Sequence, residues 1–169
     1  MIINVCLLTL FKMLPFCRER LFQEGRYVMD YTYSVCSKCN GLNKVQSQTA
    51  LKQKPVCGKC QSELPMHGLV SDARTSDFER ILAKSEKPVL VDFWASWCGP
   101  CKMYGPEFEK ASKENTSAVF LKVNTEEEQM LANKLGIRGI PCTILLQNGR
   151  EIKRQSGVMN TSQLKQFLS

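Results

Sequence analysis

From residue 67 onward the apolar positions follow two alternating rhythms. The stretch "HGLVSDA" (67–73) reads as a weak strand. In "TSDFERILAKSE" (75–86), Phe78, Ile81 and Leu82 share one helical face, and Ser76 and Glu79 stand in capping-box spacing. "PVLVDFWA" (88–95) is a near-continuous apolar run with β-branched residues, the mark of a central strand buried on both faces. "KMYGPEFEKASKE" (102–114) predicts a helix kinked at Pro106. After it come a strand (118–124), a helix (126–136) stopped by Gly136, a strand (142–147), a turn at Asn148-Gly149, a strand (150–157) and a last helix (161–168). The order βαβαβαββα places the chain in the α/β class. It predicts a mixed sheet, parallel where helices cross over and antiparallel at the final hairpin, with helices on both faces.

Upstream the rhythm fades. Residues 33–64 are rich in Lys, Gln, Ser and Asn, with little periodicity, so this piece alone has too little apolar surface to fold and needs the two cysteine pairs it carries. Residues 1–28 are apolar, then charged. Nothing basic precedes the apolar run, Lys12 interrupts it and no Ala-x-Ala site follows, so it is not a secretory signal, and it is short for a membrane span. It is either a docking arm or a translated upstream segment with the true start at Met29. The second reading is preferred, because the motif-bearing sequence begins at "MDYTYSVCSKC". Cys6 and Cys17 then carry no assigned role. The expected division is an N-terminal extension (1–28), a cysteine module (29–66) and a larger domain (67–169).

A hydrophobic content of 43% supports a packed core, and charged residues at 23% without long like-charge blocks argue against disorder. The net charge of +7 is spread over many lysines rather than gathered on one face with aromatics, so no nucleic-acid partner is expected. Neither is a membrane.

The chemistry centres on Trp97-Cys98-Gly99-Pro100-Cys101. Placed between a buried strand and a helix, the Cys98 sulfur meets unpaired N–H groups and the positive end of the helix dipole, which favour its thiolate. Cys98 is therefore the attacking thiol, and Cys101, one turn on and more buried, resolves the mixed disulfide. Pro100 suits the first helical turn, where its missing N–H costs nothing. A plain structural disulfide or half a metal site would require neither the exposed Trp97 nor a helix start. Asp92, a carboxylate in the apolar run, is a candidate proton-transfer group for Cys101, with Lys122 on the next strand as its partner. In "GIRGIPCT", Pro141 after apolar Ile140 at a strand start suits a cis bond that leaves the backbone around Ile140 free to pair with an extended substrate.

Cys36, Cys39, Cys57 and Cys60 form C-x2-C-x17-C-x2-C, within the spacing of a four-thiolate zinc site, with iron or two disulfides as alternatives. Gly41 and Gly58 are expected to supply the backbone freedom the knuckles need. Four thiolates and a Zn2+ ion would lower the net charge by 2, and the nearby lysines 38, 44, 54 and 59 read as a solvated face that offsets this. His67, the only histidine, is a linker residue.

In this order and spacing, "VDFWASWCGPCK", "GIRGIP" and "QNGREI" resemble thioredoxin over 68–169. Together with the four cysteines, the likeness extends from Met29 to the zinc-carrying bacterial thioredoxins of the thioredoxin 2 type. The resemblance implies a thioredoxin fold with an N-terminal zinc-ribbon-like module. It implies Cys98 as nucleophile, Cys101 as resolving thiol, Asp92 as buried acid, and a substrate groove of Trp97, Gly99, Pro100, Ile140 and cis Pro141. Gly-Pro between the cysteines, where oxidising relatives carry a His, implies a reductant. The expected protein is a cytoplasmic, monomeric protein-disulfide reductase with zinc and no organic cofactor. It would act on disulfide-containing clients and be recycled by a thioredoxin reductase. The rivals are a disulfide isomerase or oxidase and a ribbon-based partner-binding scaffold. Two residues depart from the family pattern. Ser96 is expected to affect the surface only, and Cys142, after the cis proline, reads as a small buried hydrophobe rather than a third reactive thiol.

Overall fold

The computed structural model describes residues 30–169, so the 1–28 extension, the start at Met29, Cys6 and Cys17 lie outside it. Its centre is the strand β5 (Val89–Trp94), whose unbroken apolar run requires cover on both faces. The six-stranded sheet has the order β3-β4-β6-β5-β7-β8, with β3 Met66–His67, β4 Val70–Asp72, β6 Val119–Asn124, β7 Cys142–Gln147 and β8 Arg150–Ser156. On one face lie α2 (Thr75–Lys84) and α4 (Gln129–Lys134), which bury Phe78, Ile81 and Leu131. On the other, α3 (Gly99–Glu114) and α5 (Thr161–Leu168) bury Tyr104, Phe108 and Leu164. Phe108 meets Tyr104 and Phe120 edge to face. Asn148 and Gly149 both take positive φ, 51° and 76°, the turn that suits the twist of the β7–β8 hairpin.

Three expectations change. First, β4, β6 and β5 are parallel, as the crossovers require, but β7 runs antiparallel to β5. The connecting helix explains this. At six residues α4 is about 9 Å long, too short to carry the chain back along a strand of about 20 Å, so β7 re-enters from the end where β6 left. Second, α2 begins two residues earlier than the Ser76–Glu79 box implies, with Arg74 as its N-cap and Asp77 at the third helical position. The Asp77 carboxylate accepts from the backbone N–H of Arg74 at 3.2 Å and from its Nε at 3.0 Å.

Third, the polar region is more ordered than its composition suggests. It holds β1 (Tyr31–Val35), β2 (Leu42–Gln46) and α1 (Ser47–Lys52), with β1 and β2 paired antiparallel. All five β1 residues are buried. Tyr31, Tyr33 and Val35 enter the same core cluster as Phe78, Ile81, Val91 and Leu121. Two hydrogen bonds tie β1 to the residues around β4: Thr32 Oγ1 donates to the Leu69 carbonyl at 3.4 Å, and Ser71 Oγ donates to that of Tyr33 at 2.7 Å. Lys87 fastens the other end, its ammonium donating to the Tyr31 and Thr116 carbonyls at 2.7 Å each and lying 4.3 Å from the Tyr31 ring centroid. The segment thus does fold on apolar burial, but against the rest of the chain rather than alone. Among the described residues, no helix is long and apolar enough to cross a membrane.

Because Tyr33 belongs to the common core, Tyr33→Ala should destabilise the whole chain by about 3 kcal/mol or more, in one cooperative denaturant transition. A separate early transition confined to the N-terminal residues would contradict this shared core.

Candidate active site and metal centre

The thiol pair stands where β5 gives way to α3. Cys98 is the N-cap of α3, with extended backbone (φ −77°, ψ 105°), Pro100 occupies the first turn, and the Cys98 sulfur accepts the Cys101 backbone N–H at 3.1 Å. Cys98 and Cys101 are joined in a disulfide. Cys98 is only 4% exposed and Cys101 2%, whereas Trp97 beside them is 69% exposed. The Ile140–Pro141 bond is cis, and the Ile140 carbonyl lies 3.8 Å from the Cys98 sulfur. Trp94, Ala95 and Ile140 pack around the two cysteines. A side chain at Gly99 would meet nothing within 4 Å, so that position leaves one flank of the disulfide open.

Asp92 is fully buried on β5, in register with Lys122 of β6 and Thr143 of β7. The Lys122 ammonium is 3.3 Å from Oδ2, but neither carboxylate oxygen has an aligned hydrogen-bond donor among the described residues. Burial pushes the Asp92 pKa up to about 6, with Lys122 working against a larger rise. Lys122 also lies 4.9 Å from the Trp94 ring centroid. A cleft of about 610 Å3 opens onto it, walled by Trp94, Gly105 and Pro106 on one side and by Val35, Ser37 and Pro65 on the other. Of the buried ion pair, the cleft reaches Lys122, while Asp92 stays enclosed behind it.

Several supporting contacts are invisible in the sequence because they join distant loops. The backbone N–H of Ser96 donates to the Glu126 carboxylate at 2.7 Å, a clamp on the loop before Cys98, while the residue itself is exposed, as expected for a surface position. Thr125 secures the same loop through the Trp94 carbonyl. Tyr104 and Thr143 share a buried hydroxyl pair at 2.7 Å near Asp92. Cys142 is 2% exposed and burial raises its pKa, which suits a small hydrophobe.

In the second cluster, the sulfurs of Cys36, Cys39, Cys57 and Cys60 all lie within 4.8 Å of one another. The Cys36–Cys60 and Cys39–Cys57 pairs are 3.6 Å apart. Four sulfurs about 2.3 Å from one tetrahedral ion stand about 3.8 Å apart, so the donor set fits zinc, and the separations far exceed a disulfide bond. The two knuckles repeat one geometry. Cys36 N–H donates to Gly41 O at 2.9 Å and Cys57 N–H to Ser62 O at 2.8 Å. The left-handed residues are Asn40 and Gln61, not the expected Gly41 and Gly58. Gly41 serves another end, since a Cβ there would stand 3.3 Å from the Cys39 sulfur and 3.5 Å from that of Cys57. Asn43, unremarked in the sequence, bridges the knuckles: its amide donates to Gly41 O at 2.8 Å and to the Cys57 sulfur at 3.6 Å, and its oxygen accepts from Gly58 N at 3.0 Å. Such donors favour thiolates. His67 pairs with Asp72 at 3.2 Å, outside the cluster.

The family model described as Thioredoxin matches residues 69–169. Thioredoxin C-3 of Corynebacterium nephridii is 37% identical over 135 residues, covering 79% of this chain and 91% of its own. That span exceeds the region matched by the family model, so the likeness reaches back into the four-cysteine region. The thioredoxin of Pseudomonas aeruginosa is 39% identical over 100 residues, 59% of this chain and 90% of its own. Among solved structures, the thioredoxin of Malassezia sympodialis superposes with a TM-score of 0.54 at 34% identity, covering 61% of this chain and 93% of that one.

The perturbed carboxylate carries a stability signature. Asp92 keeps its proton to about pH 6 when folded but only to about its ordinary 3.8 when unfolded, so the folded state binds the extra proton in that window. Stability is therefore full below about pH 4 and falls as pH rises through 6, by about 2 to 3 kcal/mol in all. Denaturant titrations across pH 3.5–7 should show this decline, and Asp92→Asn should flatten it; an equal slope in both proteins would remove Asp92 as its source.

Proposed function

The chain belongs to the thioredoxin family and is a thiol-disulfide oxidoreductase, and on that footing we propose that it acts as a protein-disulfide reductase. The Cys98 thiolate attacks one sulfur of a substrate disulfide and expels the other as a thiolate, leaving a mixed disulfide. Cys101, relieved of its proton by Asp92, then attacks the Cys98 sulfur. The second substrate sulfur departs as a thiolate that takes up a proton from water, and the Cys98–Cys101 disulfide carries away the two electrons' worth of oxidation. Lys122 stabilises the ionised Asp92 carboxylate before the transfer and, by opposing the rise in its pKa, helps it give the proton up again afterwards. Trp97, Gly99, Pro100, Ile140 and Pro141 form the groove that seats an extended client. A thioredoxin reductase drawing on NADPH restores the dithiol, in keeping with a reducing, cytoplasmic setting. The observation that carries the reading is the position of Cys98 as N-cap of α3, its sulfur 3.1 Å from the Cys101 N–H.

Residues 29–66 form a zinc module and 67–169 the thioredoxin domain, which makes the protein one of the zinc-carrying thioredoxin 2 type. Cys36, Cys39, Cys57 and Cys60 would hold the ion, with Asn43 and the Lys59 N–H, 3.4 Å from the Cys57 sulfur, supporting the thiolates. Bound zinc cross-links the two knuckles and supplies no redox chemistry of its own.

An insulin-type assay with NADPH and a thioredoxin reductase should show sustained turnover, abolished in Cys98→Ser, while Cys101→Ser should accumulate the mixed disulfide. Turnover in Cys98→Ser equal to wild type would refute the mechanism. Metal analysis of protein purified under reducing conditions should find about one zinc per chain, lost in Cys57→Ser together with part of the thermal stability. A metal-free wild type of full stability would refute the zinc assignment.

A further inference from the structure

β8 is the outer edge of the sheet, and all seven of its residues are exposed. The exchange chemistry uses none of them. One nevertheless reaches across to the loop that shapes the groove. The Arg154 guanidinium grips Glu151 with two bonds, Nε to Oε1 at 2.9 Å and Nη2 to Oε2 at 2.7 Å. From that fixed plane it also donates to the carbonyls of Leu135 at 2.6 Å and Gly136 at 3.3 Å.

These carbonyls sit where α4 ends. Gly136 takes φ +63°, and the Ile137 N–H turns back to the Ala132 carbonyl at 2.9 Å, closing the helix. A helix of six residues has little rigidity of its own, and its last carbonyls need outside partners. Immediately beyond lie Ile137 to Ile140, which lead to the cis bond and to the carbonyl 3.8 Å from the Cys98 sulfur. β8 holds the far end of this loop as well, because Gly157 N–H donates to the Pro141 carbonyl at 2.8 Å and Cys142 pairs with Ser156. The main chain thus fixes one end, and among the described residues only Arg154 reaches from β8 to the other.

We propose that Arg154, aligned by Glu151, is a positioning residue that holds the Leu135–Ile140 loop ready to pair with an extended polypeptide, and so favours protein disulfides over small ones. The proposal rests on the reductase reading. A protein client needs the Ile140 backbone in place and would otherwise have to order the loop as it binds. A small disulfide needs only the Cys98 sulfur. A planar fork suits four bonds in two directions, which a lysine ammonium on a flexible stem cannot reproduce.

The test compares wild type, Arg154→Ala and Arg154→Lys on insulin and on neutral hydroxyethyl disulfide, with amide hydrogen exchange read at residues 136–140. For Arg154→Ala, KM for insulin should rise about five- to tenfold with kcat within about twofold, hydroxyethyl disulfide should be reduced at the wild-type rate, and exchange at 136–140 should quicken. Arg154→Lys should recover less than half of the KM effect. Unchanged KM, or equal losses on both substrates, would overturn the proposal. A wild type inert toward both substrates would overturn the reductase reading, while the exchange comparison still judges the brace, and unchanged exchange in Arg154→Ala overturns it.

Discussion

A single backbone amide aimed at a single sulfur organises this molecule. The Cys101 N–H points at Cys98 Sγ from 3.1 Å because Cys98 occupies the N-cap of α3, where free amides and the helix dipole both favour negative charge. That position exists only because β5 delivers the chain to the sheet's end at the level where α3 must begin. β5 in turn is fixed by burial on both faces, against α2, α4 and β1 on one side and α3 and α5 on the other. The Glu126–Ser96 clamp sets the loop in between.

The same burial sets the cost of the site. Asp92 is enclosed by the apolar surroundings that hold β5 in place, and one lysine 3.3 Å away without an aligned hydrogen bond compensates it only in part. A carboxylate with a pKa near 6 is poised to exchange protons close to neutrality, as the proposed exchange requires. The cleft between the four-cysteine region and the larger sheet reaches Lys122, so the N-terminal residues contribute both to the core, through Tyr31, Tyr33 and Val35, and to the wall of that cleft.

What the sequence disclosed, and what it hid, divides along physical lines. The elements from 70 to 168 were legible, because apolar periodicity, the Asn148-Gly149 turn and Gly136 report local geometry directly. β7's direction was not, since it depends on the length of α4 rather than on any residue of β7. The thiol pair, Asp92 and the four metal-type cysteines were legible because such residues in such spacing have few other uses. β1 escaped notice because its burial surface is supplied by Phe78, Ile81 and Leu121, far along the chain. Glu126, Asn43, Tyr104 and Arg154 escaped for the same reason: each looks like an ordinary surface or core residue until the fold brings its partner to it.

The most direct measurement is the rate of alkylation of the reduced protein as a function of pH, with the modified residue identified by peptide mapping. Cys98 should ionise with an inflection clearly below the ordinary thiol value of about 8.5, while Cys101 remains unmodified in that range. An inflection for Cys98 at or above 8.5 would show that the amide and the helix start do not stabilise its thiolate, and would contradict the account at its root.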